Sequence, residues 1–389
     1  MKKGWEYKKL GEVCERITDG SHNPPQGVEK SHNYMLSSQN VQNGYLDMSS
    51  VRYLSDESFK KENQRTQAKK GDVLLTIVGT IGRTCILDGT EGNITFQRSV
   101  AILKPSKEIN SRFLMYFLLS QNSKLNSTAQ GAAQKGIYLK QLGNLELHYP
   151  PLSEQKEIVE YLDSSFAKID KLKENAAKNL EEAKALFQSA LKDALEPKEG
   201  WEEKYLKDIS EYSIGLTYKP TNVCEDGTIV LRSSNIQGGK LDLSDIVRVN
   251  APIKDKLYVQ YGDILMCSRN GSAKLVGKVC LIPKTKEPMT YGTFMMIIRS
   301  QYNPLLYYYF DSNDFRKQIK HGEANMINQI TRYMLDDVKV KLPPLSEQQS
   351  IVSHLDSLNE KVNTLQQNYS RICDECDALK QAILRQVFE

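Results

Sequence analysis

The hexapeptide Pro150-Pro-Leu-Ser-Glu-Gln155 occurs a second time, unchanged, as Pro343–Gln348. The two copies lie 193 residues apart in a chain of 389 residues, and each is followed by an Ile-Val pair and then by Leu-Asp. This offset is far longer than the roughly 20–50-residue period of solenoid repeats. The chain is therefore predicted to be a tandem duplication of a domain-sized unit that ends in a helix.

Other segments repeat with almost the same offset. The only two tryptophans, Trp5 and Trp201, stand in the matching contexts Trp-Glu-Tyr-Lys-Lys-Leu and Trp-Glu-Glu-Lys-Tyr-Leu. Further matching pairs are Asn40–Asp47 with Asn235–Asp242, Gly71–Leu74 with Gly262–Leu265, and Ile81–Leu87 with Val276–Ile282. The duplication therefore covers the whole chain and predicts an internal pseudo-two-fold repeat.

The segments that follow the two Pro-Pro pairs are predicted to be long helices. Apolar residues recur every three or four positions over residues 158–194, and they alternate steps of four and three over residues 351–383. The second pattern is typical of a coiled-coil seam. Ser153 is the predicted N-cap of the first helix, and Pro197 follows its end. Because one such helix is not stable alone in water, the two helices are predicted to bury each other's apolar stripe.

The rest of the chain has short apolar runs separated by Gly and Asn, which is typical of strands and turns. We predict an α+β fold with two tandem domains built around curved β-sheets, separated by two long helices that pair as an antiparallel coiled coil. The predicted segments are a first domain at 1–149, a first helix at 150–196, a second domain at 197–342 and a second helix at 343–389.

Composition limits the class of protein. The chain is 40% hydrophobic and 26% charged, which is typical of a globular protein. No apolar run approaches the ~20 residues needed to span a bilayer, and the N-terminal lysines are not followed by the apolar stretch of a signal peptide. Seven cysteines without paired spacing favour a reducing compartment. We therefore expect a cytoplasmic protein.

Charge is distributed unevenly between the predicted segments. Residues 1–149 hold 20 Lys and Arg against 14 Asp and Glu, and residues 197–342 hold 21 against 17. The two helical segments are acidic, with 7 against 10 and 4 against 7. Basic domains on acidic helices suit contact with a polyanion at two places.

In their order and duplication these motifs resemble the specificity subunit of type I restriction-modification enzymes, whose two variable domains are each closed by a Pro-Pro-Leu-x-Glu-Gln helix. Thr18-Asp-Gly-Ser-His22 is similar to the opening of the family's target-recognition domains, and Gly71–Leu74 is similar to their Gly-Asp-Val-Leu strand. The second half has the strand motif at Gly262–Leu265, but its Ser213–Tyr218 departs from the opening.

The resemblance implies a function. Each recognition domain would read one half of an interrupted, asymmetric site in double-stranded DNA, and the paired helices would set the spacing of the half-sites. The helices would also dock adenine methyltransferase (modification) subunits and, through them, a restriction/translocase subunit. The chain itself would be non-catalytic and carry no cofactor, because S-adenosylmethionine, ATP and Mg would belong to the partners.

The motifs that suggest chemistry are incomplete. Asn23-Pro-Pro-Gln26 lacks the aromatic residue with which an amino-methyltransferase stacks on the flipped base. Gly271–Lys278 has its glycines too far apart for a phosphate-binding loop. Cys373 and Cys376 have no further Cys or His at a spacing that completes a tetrahedral zinc site. We expect neither catalysis nor a metal on this chain.

The candidate DNA-binding residues are polar side chains on predicted loops, chiefly Arg, Lys, Asn and Gln, whose geometry matches base edges and phosphates. In the first domain they are His22, Asn23, Gln39, Asn40, Arg83, Gln97, Arg98 and Lys135. In the second domain they are Tyr218, Arg232, Asn235, Arg269, Asn270 and Lys274. Since Gln39-Asn40 and Ser234-Asn235 occupy equivalent places in the repeat, framework hydrogen bonds are the alternative to base contact for these residues.

A second function is compatible with the duplication and the helices. The chain could be a non-catalytic coiled-coil scaffold that pairs two protein-binding domains and never touches DNA. This alternative does not account for basic domains on acidic helices, and salt-sensitive DNA binding would distinguish the two functions.

Overall fold

The computed structural model describes residues 4–130, 135–320 and 329–389. The chain forms two compact units. Unit 1 comprises Met1–Asn175 with Arg371–Glu389, and unit 2 comprises Ala176–Ser370. Each unit contains one of the predicted globular segments and a part of both long helices. The four segment boundaries given above stay predictions, because the units divide each long helix between them.

Unit 1 is built from short strands and mostly short helices. Its strands are β1 (Glu6–Lys9), β2 (Cys14–Asp19), β3 (Asn33–Leu36), β4 (Val41–Gln42), β5 (Tyr45–Leu46), β6 (Arg52–Tyr53), β7 (Val73–Thr76), β8 (Thr84–Ile86), β9 (Asn93–Phe96), β10 (Val100–Pro105) and β11 (Glu146–Tyr149). Its helices are α1 (Leu10–Val13), α2 (Asp56–Thr66), α3 (Ser111–Ser120), α4 (Asn122–Thr128), α5 (Leu139–Gly143) and the first part of α6 (Leu152–Ala194).

Unit 2 repeats this arrangement. Its strands are β12 (Glu202–Tyr205), β13 (Glu211–Ile214), β14 (Val223–Cys224), β15 (Thr228–Leu231), β16 (Ile236–Gln237), β17 (Lys240–Leu241), β18 (Arg248–Val249), β19 (Ile264–Cys267), β20 (Val279–Leu281), β21 (Met289–Tyr291), β22 (Met295–Arg299) and β23 (Lys339–Leu342). Its helices are α7 (Leu206–Ile209), α8 (Asn303–Tyr309), α9 (Asn313–Lys320), α10 (Arg332–Asp336), the last part of α6 and the first part of α11 (Leu345–Phe388), whose last part belongs to unit 1. Unit 2 also has 3-10 turns at Pro220–Asn222, Ser233–Asn235, Asp255–Leu257 and Ala273–Leu275.

The sheets of the two units match, except that β14 of unit 2 has no counterpart strand in the described part of unit 1. Each unit has an antiparallel four-stranded sheet, in the order β2-β10-β7-β8 in unit 1 and β13-β22-β19-β20 in unit 2. A second sheet in each unit contains one parallel pair, β3 with β9 and β15 with β21. The first and last strands pair as β1 with β11 and β12 with β23. The predicted α+β repeat is confirmed.

The repeated Gly-Asp dipeptide has a structural role. Gly71 and Gly262 have φ values of +88° and +84°, which L side chains rarely adopt. The buried Asp72 that follows accepts a hydrogen bond from the backbone N–H of Lys69 at 2.9 Å and pairs with the Lys104 ammonium at 2.5 Å. Asp263 does the same with Gln260 and Arg299. The dipeptide therefore fixes the turn that starts a central strand in each unit.

The long helices pair in antiparallel fashion within each unit, as predicted. In unit 1, Lys173 on α6 pairs with Asp377 on α11 at 2.9 Å, and Lys380 pairs with Asp170 at 2.5 Å. As the residue number rises on one helix, it falls on the other. In unit 2, the late α6 residue Leu191 shares a core cluster with the first turns of α11.

Two details of the helix predictions are wrong. The first helix begins at Leu152 rather than after Ser153, since the carbonyl of Pro151 already accepts a helical hydrogen bond from the N–H of Gln155 at 3.0 Å. The apolar stripe of the second helix is also not buried along its whole length, since Leu365 and Leu379 are 39% and 50% exposed. The reason is that the buried stripe residues pack largely against the globular cores rather than against the other helix alone.

The glutamine that ends each hexapeptide joins its helix to the preceding loop. Gln155 is fully buried, and its amide donates to the carbonyls of Pro150 at 2.8 Å and Glu108 at 2.9 Å. Its carbonyl accepts from the N–H of Asn110 at 2.8 Å, just before α3. Gln348 repeats the contact to its own proline, Pro343, at 2.8 Å.

In the described part of the chain, no helix has the length and apolarity to cross a bilayer.

Candidate nucleic-acid interface

In unit 1 the tripeptide Gln97–Ser99 connects the loops at one end of the sheets. Its three residues bond through their backbones to Leu36 at 2.8 Å, Ser21 at 2.9 Å and Ile77 at 2.9 Å, in that order. The hydroxyl of Ser99 also accepts from the N–H of Ser38 at 3.0 Å. Four loops that are far apart in sequence therefore meet here.

We call the resulting surface edge 1. Its residues are Ser21–Asn23, Ser38–Gln39, Val78–Arg83, Gln97–Ser99 and Lys135–Gly136. Gly136 belongs to it because its backbone is bridged to that of Val78.

In unit 2 the segment Gly292–Phe294 makes the equivalent connections. The N–H of Gly292 donates to Leu231 at 2.9 Å, and the carbonyl of Phe294 accepts from the N–H groups of Ser268 at 3.0 Å and Arg269 at 3.1 Å. Arg269 is in turn bridged to Gln329. The resulting surface, edge 2, consists of Leu216–Tyr218, Arg232–Ser234, Arg269–Lys274, Gly292–Phe294 and Gln329.

A close backbone approach requires glycine at both edges. A Cβ atom on Gly20 would lie 1.9 Å from the carbonyl oxygen of Phe96, and one on Gly215 would lie 2.2 Å from that of Tyr291. The sequence indicated that Ser213–Tyr218 departs from the opening motif of the first half. The structure shows that Ser213–Tyr218 differs from the opening motif in its side chains but follows the same backbone path. The path requires a glycine, and that glycine is retained as Gly215.

Most of the candidates in the first domain lie on edge 1 and point outward. His22, Asn23, Gln39, Arg98 and Lys135 are exposed, whereas Arg83 and Gln97 are half-buried. Among the described residues, only the His22 side chain of these seven has a hydrogen-bond partner, Asp19 at 3.0 Å. The remaining polar groups are available to a ligand.

More of the candidate side chains in the second domain make polar contacts within the chain. Arg232 forms an ion pair with Asp245 at 2.8 Å, and the Asn270 amide donates to Ser233 at 3.1 Å. Arg269 and Lys274 are exposed, while Tyr218 is half-buried against the small cluster of Leu216, Val230 and Val249.

Asn40 and Asn235 lie inside their loops rather than on the edges. Asn40 is 5% exposed; it accepts from the N–H of Ser37 at 2.9 Å and donates to the carbonyls of Asp47 and Ser50 at 2.9 and 2.7 Å. Asn235 is 1% exposed and makes the three equivalent bonds, at 2.8 Å each. The structure therefore favours the framework alternative for this pair.

A buried carboxylate organises one end of edge 1. Asp19 is 7% exposed and interacts with both His22 and the guanidinium of Arg65, whose Nε also donates to the Asp19 carbonyl at 3.0 Å. Arg65 was not a candidate, since it lies on α2, far from the opening motif in sequence. Unit 2 has the exposed Ile214 at the place of Asp19. The two edges therefore differ in chemistry.

Phe294 is a second residue that the sequence did not indicate. It is 55% exposed on edge 2, and the guanidinium of Arg269 lies 5.5 Å from its ring centroid. Phe294 begins the apolar run Phe-Met-Met-Ile-Ile, which is typical of a buried strand. The sequence therefore did not indicate that its side chain is exposed. The repeat offset carries the available signal, because it aligns Phe294 with Ser99 on edge 1.

The described residues contain no group of three His, Cys, Asp or Glu side chains that could hold a metal ion. Burial raises the pKa of the Cys85 and Cys280 thiols to about 12 each. These thiols are therefore protonated at neutral pH, and neither is an activated nucleophile.

The family follows from comparison with known proteins. The model of the type I restriction modification DNA specificity domain matches residues 2–182 and 198–372. The chain therefore belongs to the family of type I restriction-modification specificity subunits.

Individual relatives are distant, and the two described here match most or all of the chain. It is 24% identical to the type I restriction enzyme EcoKI specificity subunit of Escherichia coli K12, over all of this chain and 89% of that protein. It is also 24% identical to the MjaVIII specificity subunit of Methanocaldococcus jannaschii, over 82% of this chain and 80% of that protein.

Solved structures share the fold. A chain from a study of complex assembly and conformational transition of the type I R-M system superposes with a TM-score of 0.75 at 18% identity, covering 100% of this chain and 98% of that one. The HsdS subunit from Thermoanaerobacter tengcongensis superposes with a TM-score of 0.52 at 18% identity, with 100% and 97% covered.

Proposed function

We propose that this specificity subunit reads a bipartite, asymmetric DNA sequence, with edge 1 contacting one half-site and edge 2 contacting the other. The observation that carries the proposal is the duplicated edge: the same backbone framework presents different side chains in the two units. Equal frameworks give two equivalent docking surfaces for duplex DNA. Different side chains give two different base preferences, so the half-sites differ in sequence.

Free cations on both edges support contact with DNA. Arg98 and Lys135 are exposed on edge 1, and Arg269 and Lys274 are exposed on edge 2. No ion pair within the described residues involves any of these four side chains. Unpaired cations can replace the counterions of DNA phosphates, which supplies most of the sequence-independent affinity.

The long helices carry apolar surface for partner subunits. In unit 1, Leu172 and Leu379 are 55% and 50% exposed, beside the ion pairs that join α6 to α11. In unit 2, Leu186 and Leu365 are 71% and 39% exposed. The repeat relates these leucines pairwise, so each unit presents the same kind of patch. We assign the patches to adenine methyltransferase subunits, which recruit the restriction/translocase subunit in turn.

The chemistry then belongs to the partners. The methyltransferase subunits would bind S-adenosylmethionine, and the restriction/translocase subunit would bind ATP and Mg. This chain supplies sequence recognition and assembly.

The test is a genome-wide map of methylated adenines in cells that make this chain with its methyltransferase subunit. Cells that lack only this chain are the control. The proposal expects a two-part asymmetric motif that disappears with the chain. A soluble complex with an active methyltransferase but no chain-dependent motif would overturn it and leave the scaffold function.

A further inference from the structure

The backbone of Phe294 is held by the sheet framework, while the residue is 55% exposed to solvent. The Phe294 carbonyl accepts hydrogen bonds from two backbone N–H groups and from the hydroxyl of Ser268 at 3.0 Å. This carbonyl belongs to the segment that connects the loops of edge 2, so the Cα position is set by the sheet framework. A single exposed aromatic is common on protein surfaces. An exposed aromatic on a hydrogen-bonded backbone at a candidate DNA edge is a better anchor, because the backbone loses less conformational entropy on binding.

Arg269 is held beside this ring. Its backbone is bridged to Gln329, its carbonyl accepts from the thiol of Cys267 at 3.6 Å, and its guanidinium lies over the Phe294 ring. Among the described residues, no acceptor takes a hydrogen bond from the guanidinium. Stacking on an aromatic face leaves the planar N–H fork of arginine free to donate two parallel bonds.

Edge 1 has no such pair. Its equivalent residues are Ser99 in place of Phe294 and Val78 in place of Arg269. The ring and the fork are therefore a property of unit 2 alone, and they are a source of difference between the half-sites.

We propose that Phe294 and Arg269 are specificity-determining residues of unit 2, which read a thymine next to a guanine in the major groove. The Phe294 ring would contact the thymine 5-methyl group, and the Arg269 guanidinium would donate to O6 and N7 of the guanine. These are the base atoms that an apolar ring and an arginine fork distinguish. The inference rests on the proposed function and adds the residues and bases of one half-site.

The test compares methylated-adenine maps for the wild-type chain, Phe294→Ser and Arg269→Lys, each made with the methyltransferase subunit. Phe294→Ser installs the residue of edge 1; it should relax one thymine of one half-site and lower methylation at the original sites by about tenfold. Arg269→Lys keeps the charge and removes the fork, and it should relax the adjacent guanine.

Tyr261→Ser is the matched control, since Tyr261 is a 74% exposed ring of unit 2 outside edge 2. It should leave the motif unchanged, and thermal melting should show that all variants fold. An unchanged motif with Phe294→Ser, or an equal loss at all sites without relaxed specificity, would overturn this inference and leave the proposed function intact. A wild-type chain without any chain-dependent motif would overturn both.

Discussion

The indole Nε1 of Trp201 donates a hydrogen bond to the carboxylate of Glu347 at 3.0 Å, and Trp5 makes the same bond to Glu154 at 3.0 Å. Each bond joins the segment before the first strand of a unit to the first turn of the following hexapeptide helix. The glutamate of both hexapeptides therefore has a long-range partner, as does the glutamine of the first copy, Gln155. This explains why the tryptophan and the hexapeptide repeat together.

Trp201→Phe keeps an aromatic ring and removes the donor, so it should lower the melting temperature at pH 7. The pKa of Glu347 is lowered from its usual 4.5, first by its hydrogen bond with Lys198 and then by that with Trp201. Since the folded-state pKa is depressed, the stabilisation is present above pH 4.5 and is lost as the pH falls through the folded value. The melting difference should therefore shrink below pH 4.5. In a Glu347→Gln background, a difference that kept the same pH dependence would contradict this origin.

Asn40→Ala should destabilise unit 1 without changing the DNA sequence that is read. The substitution leaves a backbone N–H and two carbonyls of one loop without their partner, at a cost of about 2–3 kcal/mol in the free energy of unfolding. Denaturant unfolding measures the cost. The neighbouring Gln39→Ala, at an exposed side chain, should change stability by less than about 0.5 kcal/mol. A folded Asn40→Ala variant with a relaxed base preference would instead show that Asn40 contacts a base.

The ends of the two long helices differ in packing. Phe388 on α11 packs edge to face on Phe113, with ring centroids 5.1 Å apart. The repeat places Leu195 at the equivalent position, directly after α6, where it borders a cavity of about 440 Å³ together with Leu305 and Tyr309. The smaller side chains of unit 2 thus leave space that aromatic rings fill in unit 1.

Exchanging these two residues should have opposite effects on stability. Phe388→Leu should lower the free energy of unfolding by about 1 kcal/mol through lost apolar burial. Leu195→Phe should raise it by roughly 0.5–1 kcal/mol, because the added ring fills existing space. Thermal and denaturant unfolding measure both. Destabilisation by Leu195→Phe would show that the cavity does not accept a ring.

Lys135 tests the electrostatic part of DNA binding. If it contacts a phosphate, Lys135→Ala weakens binding equally for all sequences and reduces the slope of log affinity against log salt by about one. Fluorescence anisotropy of the assembled complex over a salt series gives this slope. Lys171→Ala removes a cation from the exposed surface of α6, where Lys171 pairs with Glu174 at 2.9 Å. An equal change of slope in this control would remove Lys135 from the interface.

The repeat and the helices could be predicted because they depend on patterns along the sequence. The hexapeptide offset and the apolar periodicity are local signals, and antiparallel pairing of two like helices in one chain satisfies both stripes. The roles of individual residues depend on tertiary neighbours. Asn40 is an ordinary polar loop residue until the loop closes around it, and Phe294 belongs to a strand-like run whose first residue happens to face outward. Composition encodes neither fact, and the repeat spacing gives only which positions are equivalent, not what their side chains contact.

The coiled-coil pattern predicted the burial of some seam residues correctly and of others wrongly, because burial also depends on tertiary neighbours. A heptad stripe indicates which residues share a helix face, but it does not say what covers that face. Cys376 is buried as expected, whereas Leu379 on the same predicted seam is half exposed. The globular core of unit 1 covers part of the face and leaves the rest open.

The open part leads to a prediction about assembly. Leu172→Glu combined with Leu379→Glu places two charges on the patch of unit 1, so docking of an apolar partner surface there should fail while the chain stays folded. Co-purification with the methyltransferase subunit, with stoichiometry from light scattering, should show the loss of a subunit. Leu243→Glu is the control, because Leu243 is 42% exposed on unit 2 outside the long helices. Full assembly of the double variant would show that the partner docks elsewhere and that the exposed leucines are ordinary surface.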